Sequence, residues 1–128
     1  MAGAHMKMFV GGSFTTDFLT WMVRETGALR LEEAHHALSA LPAQMAGLKN
    51  RGMLLEGQPA DVVVYDMEKL GTIPEHFYDT VYDLPGGDWR RVKRARGYNY
   101  IIVNGRPTFV DGEQTGATPG RLLRHGRG

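Results

Sequence analysis

At 128 residues and 14.2 kDa the chain has the size of one domain and is too short for a complete (β/α)8 barrel, which takes about 250 residues. Apolar residues at 42% and charged residues at 23% exclude wholesale disorder, and zero cysteines exclude disulfides, thiolate metal sites and cysteine nucleophiles, which fits a reducing cytoplasm. The net charge of +1 hides a division: residues 1–85 sum to −5 (6 Lys/Arg against 11 Asp/Glu) and residues 86–128 to +6 (9 against 3), so the two parts can attract each other within one fold or between copies.

Residues 1–14 are rich in Gly, Ala and Met without periodicity, and read as an irregular leader lacking a secretory signal's apolar core. Thr15, Thr16 and Asp17 offer helix N-caps, because their side-chain oxygens can accept the unpaired N–H groups of a first turn. Phe18, Leu19, Met22 and Val23 follow at helical spacing with Trp21 beside them, and Gly27 marks the stop. A second helix starts near Arg30, where Leu31, Ala34, Leu38 and Leu41 recur at steps of three and four. Glu32 and Glu33 suit its positive end. Pro42 cannot continue an established helix but fits a first turn, so residues 42–48 are expected as a separate short helix.

Strand grammar begins after Gly52. Residues 60–66, with three consecutive valines, predict a buried strand. Residues 67–88 hold Gly71, Pro74, Pro85, Gly86 and Gly87 and read mostly as connection. Residues 100–103 predict another strand, Asn104-Gly105 a tight hairpin turn, and residues 107–110 the returning strand. Asp111-Gly112 turns again before residues 113–115, and residues 116–128 read as an extended tail. Helices first and strands second make the fold α+β: a helical segment over residues 1–51, then a small antiparallel sheet over residues 52–128. No apolar run approaches the roughly 20 residues that cross a bilayer, so no membrane partner is expected.

His35 and His36 are adjacent on a helix, about 100° apart, and cannot face one metal as an i, i+4 pair would. They read as a helix-surface pair. His76 and His125 are isolated in loops, and His5 follows Ala2-Gly3-Ala4, a setting compatible with a site if an orienting partner exists. Residues 90–96 hold five basic side chains, which raises nucleic-acid binding. The pI of 8.1 and the absence of a stacking-aromatic motif favour a charge-protected edge strand instead, so no nucleic-acid partner is expected. Gly11-Gly12, Gly86-Gly87 and residues 116–120 lack the strand–glycine–helix context of a phosphate loop, and no Gly-x-Ser-x-Gly elbow occurs.

Several pieces taken in order resemble a known family. Leu31-Glu32-Glu33-Ala34, Leu41-Pro42-Ala43, Gly47-Leu48, Arg51-Gly52, Gly57 and Ala60-Asp61-Val62-Val63-Val64-Tyr65-Asp66 look like the closing signature of the amidohydrolase superfamily. Asp83-Leu84-Pro85-Gly86-Gly87, Val103-Asn104-Gly105, Asp111-Gly112 and the run from Thr115 to Arg124 resemble the tail of its N-acyl-D-amino-acid deacylase (D-aminoacylase) branch. The resemblance implies the last barrel helix followed by the C-terminal part of a composite β-sandwich. In that branch the last barrel strand ends in Ser-Asp-Ala-Gly-Ala-His; Ala2-Gly3-Ala4-His5 matches, but Met1 stands where the catalytic Asp belongs.

The family hydrolyses amides with a zinc-activated water. The resemblance therefore implies zinc for an intact enzyme, with no catalytic residue and no metal ligand in this chain, and with His5 near substrate. Two readings follow: a C-terminal amidohydrolase fragment inactive by itself, or a stand-alone oligomerisation or interaction module that reuses the tail. Both expect an exposed apolar surface, and hence a homodimer, a higher oligomer, or pairing with a missing barrel segment.

Overall fold

A computed structural model describes residues 12–73 and 78–126 of the chain. The first helix runs α-helically over Phe14–Phe18 and continues over Leu19–Glu25 in the wider π form. It starts one residue before the expected caps. Ser13 precedes it and donates its hydroxyl to the Asp17 carboxylate at 2.7 Å, while Thr16 is buried and turned toward the sheet. The end shows five-residue spacing, the Thr26 N–H reaching Trp21 O at 3.0 Å.

The second helix begins with Arg30, whose N–H donates to the Glu33 carboxylate at 2.9 Å, a capping-box contact. It runs over Leu31–His35, widens into a π segment over His36–Ala40, and continues over Leu41–Met45. The expected break at Pro42 is therefore absent. Proline lacks an N–H and crowds the carbonyl four residues back. Here the helix widens just before it, with the Leu41 N–H bonding to His36 O, and so passes through Pro42 without a stop.

Among the described residues eight strands follow. They are β1 (Val62–Tyr65), β2 (Gly71–Ile73), β3 (Asp79–Leu84), β4 (Asp88–Val92), β5 (Arg94–Arg96), β6 (Tyr98–Val103), β7 (Arg106–Val110) and β8 (Glu113–Gln114). The principal sheet has the order β1-β6-β7-β8, every neighbour antiparallel, with Val63 opposite Ile101 and Ile101 opposite Phe109. Asn104 adopts the left-handed conformation at the β6–β7 turn and Asp111 at the next one, as the Asn-Gly and Asp-Gly pairs predict. Two helices followed by small antiparallel sheets make the chain α+β.

Three further expectations are corrected. The segment over residues 67–88 is not mainly connection: it contains β2 and β3, and the turn Pro85–Gly87 joins β3 to β4. The basic run is not one edge strand either, because β4 pairs with β3 and β5 with β2, the change falling at Lys93. And β1 is not buried. Among the described residues it lies at the free edge of the sheet, with Val63 51% and Val64 41% exposed.

The core forms where the helices meet the sheet. Leu19, Ala34 and Leu70 are buried, with Phe18, Val23, Leu29, Leu38, Tyr65, Met67 and Tyr98 packed around them. Only part of each apolar stripe is used: Trp21, Leu31 and Leu41 remain exposed. Gly97 allows a close backbone approach. Its φ is +87°, and a Cβ there would lie 2.6 Å from the Leu70 backbone nitrogen.

Candidate functional site

Several of the residues that carry the family resemblance meet in space. Arg51, just past the second helix, has a side chain only 7% exposed, and its Nε lies 3.2 Å from Asp61 Oδ2. Its Nη2 donates to Asn104 Oδ1 at 3.3 Å. The Asn104 N–H donates to Asp61 Oδ1 at 2.8 Å, and the Asn104 amide donates to Pro119 O at 2.8 Å. The Gly105 N–H reaches Ala60 O. Gly52, at φ +85°, lets the chain turn against the helix, since a Cβ there would stand 2.6 Å from Ser39 O. Arg51 thus ties its own stretch to those of Asp61 and Asn104, and Asn104 extends the tie to Pro119. This joint is structural: the arginine is matched by a carboxylate and presents no nucleophile.

A second polar line crosses the helix–sheet boundary. The ring Nε2 of His35 and the Tyr65 hydroxyl are 2.6 Å apart, and the Tyr98 hydroxyl bonds Thr16 Oγ1 at 2.8 Å. The Tyr65 and Tyr98 rings pack at 6.0 Å. Burial first, and the neighbouring Tyr98 second, push the Tyr65 hydroxyl above its ordinary pKa, because both disfavour the phenolate. His35 is consequently not a simple surface residue, whereas His36 is exposed as expected. Sequence pattern missed this because its partner lies thirty positions away on a strand.

The first helix is anchored similarly. Arg24 Nη1 donates to Leu70 O at 2.6 Å and Met67 O at 3.0 Å, closing the loop after β1. The C-terminal stretch is likewise docked rather than an open tail: the Gly126 N–H bonds Gly47 O at 3.0 Å, and His125 Nδ1 lies 3.0 Å from Ala46 O.

The remaining candidate positions divide plainly. His5 and His76 lie outside the described residues. Within the basic run, Arg90 forms a two-point pair with Asp83, Nε to Oδ1 at 2.8 Å and Nη2 to Oδ2 at 2.6 Å, and Arg91 stacks over the Tyr78 ring at 3.9 Å. The Arg90 guanidinium holds the Asp83 carboxyl below its usual range. An open cleft of about 320 Å³ is lined by Gly57, Gln58, Pro59, Ala60, Asn104, Gly105 and Arg121, without a histidine or carboxylate to act as a base. Among the described residues no three His, Asp or Glu side chains converge to hold a metal ion, so the donor set for the implied zinc does not fit them. Nor is any helix among them long and apolar enough to cross a membrane.

The profile of the amidohydrolase family matches residues 5–109, and the chain belongs to that family. It is 38% identical to an N-acyl-D-aspartate deacylase of Alcaligenes xylosoxydans xylosoxydans over 90% of this chain and 20% of that protein. An N-acyl-D-glutamate deacylase of the same organism is also 38% identical, over 94% of this chain and 22% of the relative. A D-aminoacylase, again from that organism, is 34% identical over 78% and 18% respectively. The chain therefore spans about a fifth of the length of these curated relatives. No solved structure gives a significant match.

Proposed function

We propose that the chain is the closing C-terminal segment of a metal-dependent amidohydrolase whose intact form hydrolyses N-acyl-D-amino acids, and that it does not hydrolyse amides by itself. The observation carrying this reading is the asymmetry of the match: 94% of this chain aligns with only 22% of an N-acyl-D-glutamate deacylase. The lack of a converging metal donor set among the described residues supports the inactivity. In the intact enzyme residues 1–51 supply the last barrel helix and residues 52–128 the C-terminal part of a β-sandwich. His5 lies near substrate, zinc is held by upstream residues, and the protein works in the cytoplasm.

The test mixes the purified chain with zinc and N-acetyl-D-glutamate or N-acetyl-D-aspartate and measures free amine. No release is expected. Turnover that rises with both chain and zinc would overturn the inactivity. The same assay on the chain extended by its upstream reading frame should release amine.

The exposed Trp21, Val63 and Val64 favour a second reading, a stand-alone interaction module. A reading frame that carries no barrel upstream distinguishes it. Under either reading the free edge of β1 and the exposed apolar side chains support self-association, as a homodimer or larger. A 14.2 kDa monomer in sedimentation at micromolar concentration would refute that association.

A further inference from the structure

The loop after the second helix surrounds a cavity of about 10 Å³, lined by Lys49, Asn50, Arg51, Met53, Leu55 and Gln58. Three of these residues bring buried polar atoms that no described group hydrogen-bonds: Asn50 Oδ1, Gln58 Oε1, and the Nε and Nη1 of Arg51. Nε has Asp61 beside it as a counter-charge at 3.2 Å, although not aligned for a hydrogen bond. Nη1 has no such neighbour to bond. A desolvated donor or acceptor left unbonded is costly, and most costly on a charged group.

The donor types decide what fits. A cation would suit the two amide oxygens but confront the guanidinium. An anion would suit the guanidinium but confront the two oxygens, and Asp61 already balances the charge. A neutral group that accepts one hydrogen bond and donates two satisfies all three atoms, and the volume admits about one water molecule. We propose that this cavity is a binding site for one buried water, which accepts from Arg51 Nη1 and donates to Asn50 Oδ1 and Gln58 Oε1. The water fastens the loop over residues 49–58 to the Arg51 joint.

A crystal structure of the full chain at atomic resolution, grown with bromide as the halide, tests this. The expected result is density without anomalous signal, about 2.7–3.2 Å from Arg51 Nη1 and from both amide oxygens. Bromide in the cavity, or a direct bond between the Gln58 amide and Arg51 with no density between them, overturns the proposal. In solution, oxygen-17 relaxation dispersion should count one long-lived water fewer in Gln58→Leu than in the parent chain. An unchanged count would also overturn it. Should Gln58→Leu fail to fold, the crystallographic result on the parent chain still decides.

Discussion

His35 Nε2 and the Tyr65 hydroxyl stand 2.6 Å apart, which joins the second helix to the end of β1 across thirty residues of sequence. Tyr65→Phe keeps the ring in the core and deletes only this bond. Its expected cost is about 1 kcal/mol, the net worth of a typical intramolecular hydrogen bond. Urea unfolding should show a lower midpoint with an unchanged slope.

The same hydroxyl gives an alkaline signature. Its folded pKa is raised above 10.0, chiefly by burial, so the folded state holds this proton more tightly than the unfolded chain. Its contribution is complete below pH 10 and is lost as pH rises through the folded value. Melting temperatures measured from pH 9 to about pH 11 should therefore decline more steeply in the parent chain than in Tyr65→Phe. Parallel curves would count against it.

Asp83 behaves in the opposite sense. The hydrogen bond from Arg90 is the largest influence and holds the carboxyl below 3.8, with burial opposing it. Its contribution is present above the unfolded pKa and disappears as pH falls through the lower folded one. NMR titration should find Asp83 protonating below 3.8 in the parent chain and moving upward in Arg90→Gln. A titration indifferent to Arg90 would show that the pair does not persist in solution.

Two glycine substitutions separate conformational strain from collision. Gly57 has φ +78° and open space around it, so Gly57→Ala should cost about 1–2 kcal/mol from the left-handed backbone alone. Gly97→Ala carries that strain and also drives a Cβ into the Leu70 backbone at 2.6 Å. It should be the more destabilised of the two in thermal denaturation. Equal losses would mean that the loop before β2 yields freely.

Removing the counter-charge of Arg51 should be costly for a different reason. Asp61→Asn leaves a guanidinium that is 7% exposed without its carboxylate. Losing one partner of a fully buried pair costs about 3–5 kcal/mol, and since Asp61 is still partly wetted the expected loss is nearer ~2 kcal/mol. Chemical denaturation measures it directly.

Local signals in the sequence reached the elements whose causes are local. The helical spacing of Phe18, Leu19 and Val23, the acidic first turn at Glu32 and Glu33 and the Asn104-Gly105 and Asp111-Gly112 turns all appear where the residues place them. What failed depended on distant partners. Glycine and proline in residues 67–88 concealed β2 and β3, which are strands only because β5 and β4 come back to pair with them. Three valines suggested a buried strand, yet burial requires a covering layer, and among the described residues β1 has a strand neighbour on one side only. Pro42 was read as a break because the widening at His36–Ala40 has no local marker. The joint was visible as a family signature but not as a contact, since Arg51, Asp61, Asn104 and Pro119 converge only in the folded chain.

The positions of the last bonds in that joint set an order of events during synthesis. Asn104 waits for Pro119, and Gly47 for Gly126, so neither closure can form until those later residues have left the ribosome. Until Pro119 arrives, the Asn104 amide beside Arg51 lacks the carbonyl to which it donates in the folded chain. Residues 119–126 therefore act as a latch, tying down the β6–β7 turn at Asn104 and the chain just past the second helix at Ala46 and Gly47.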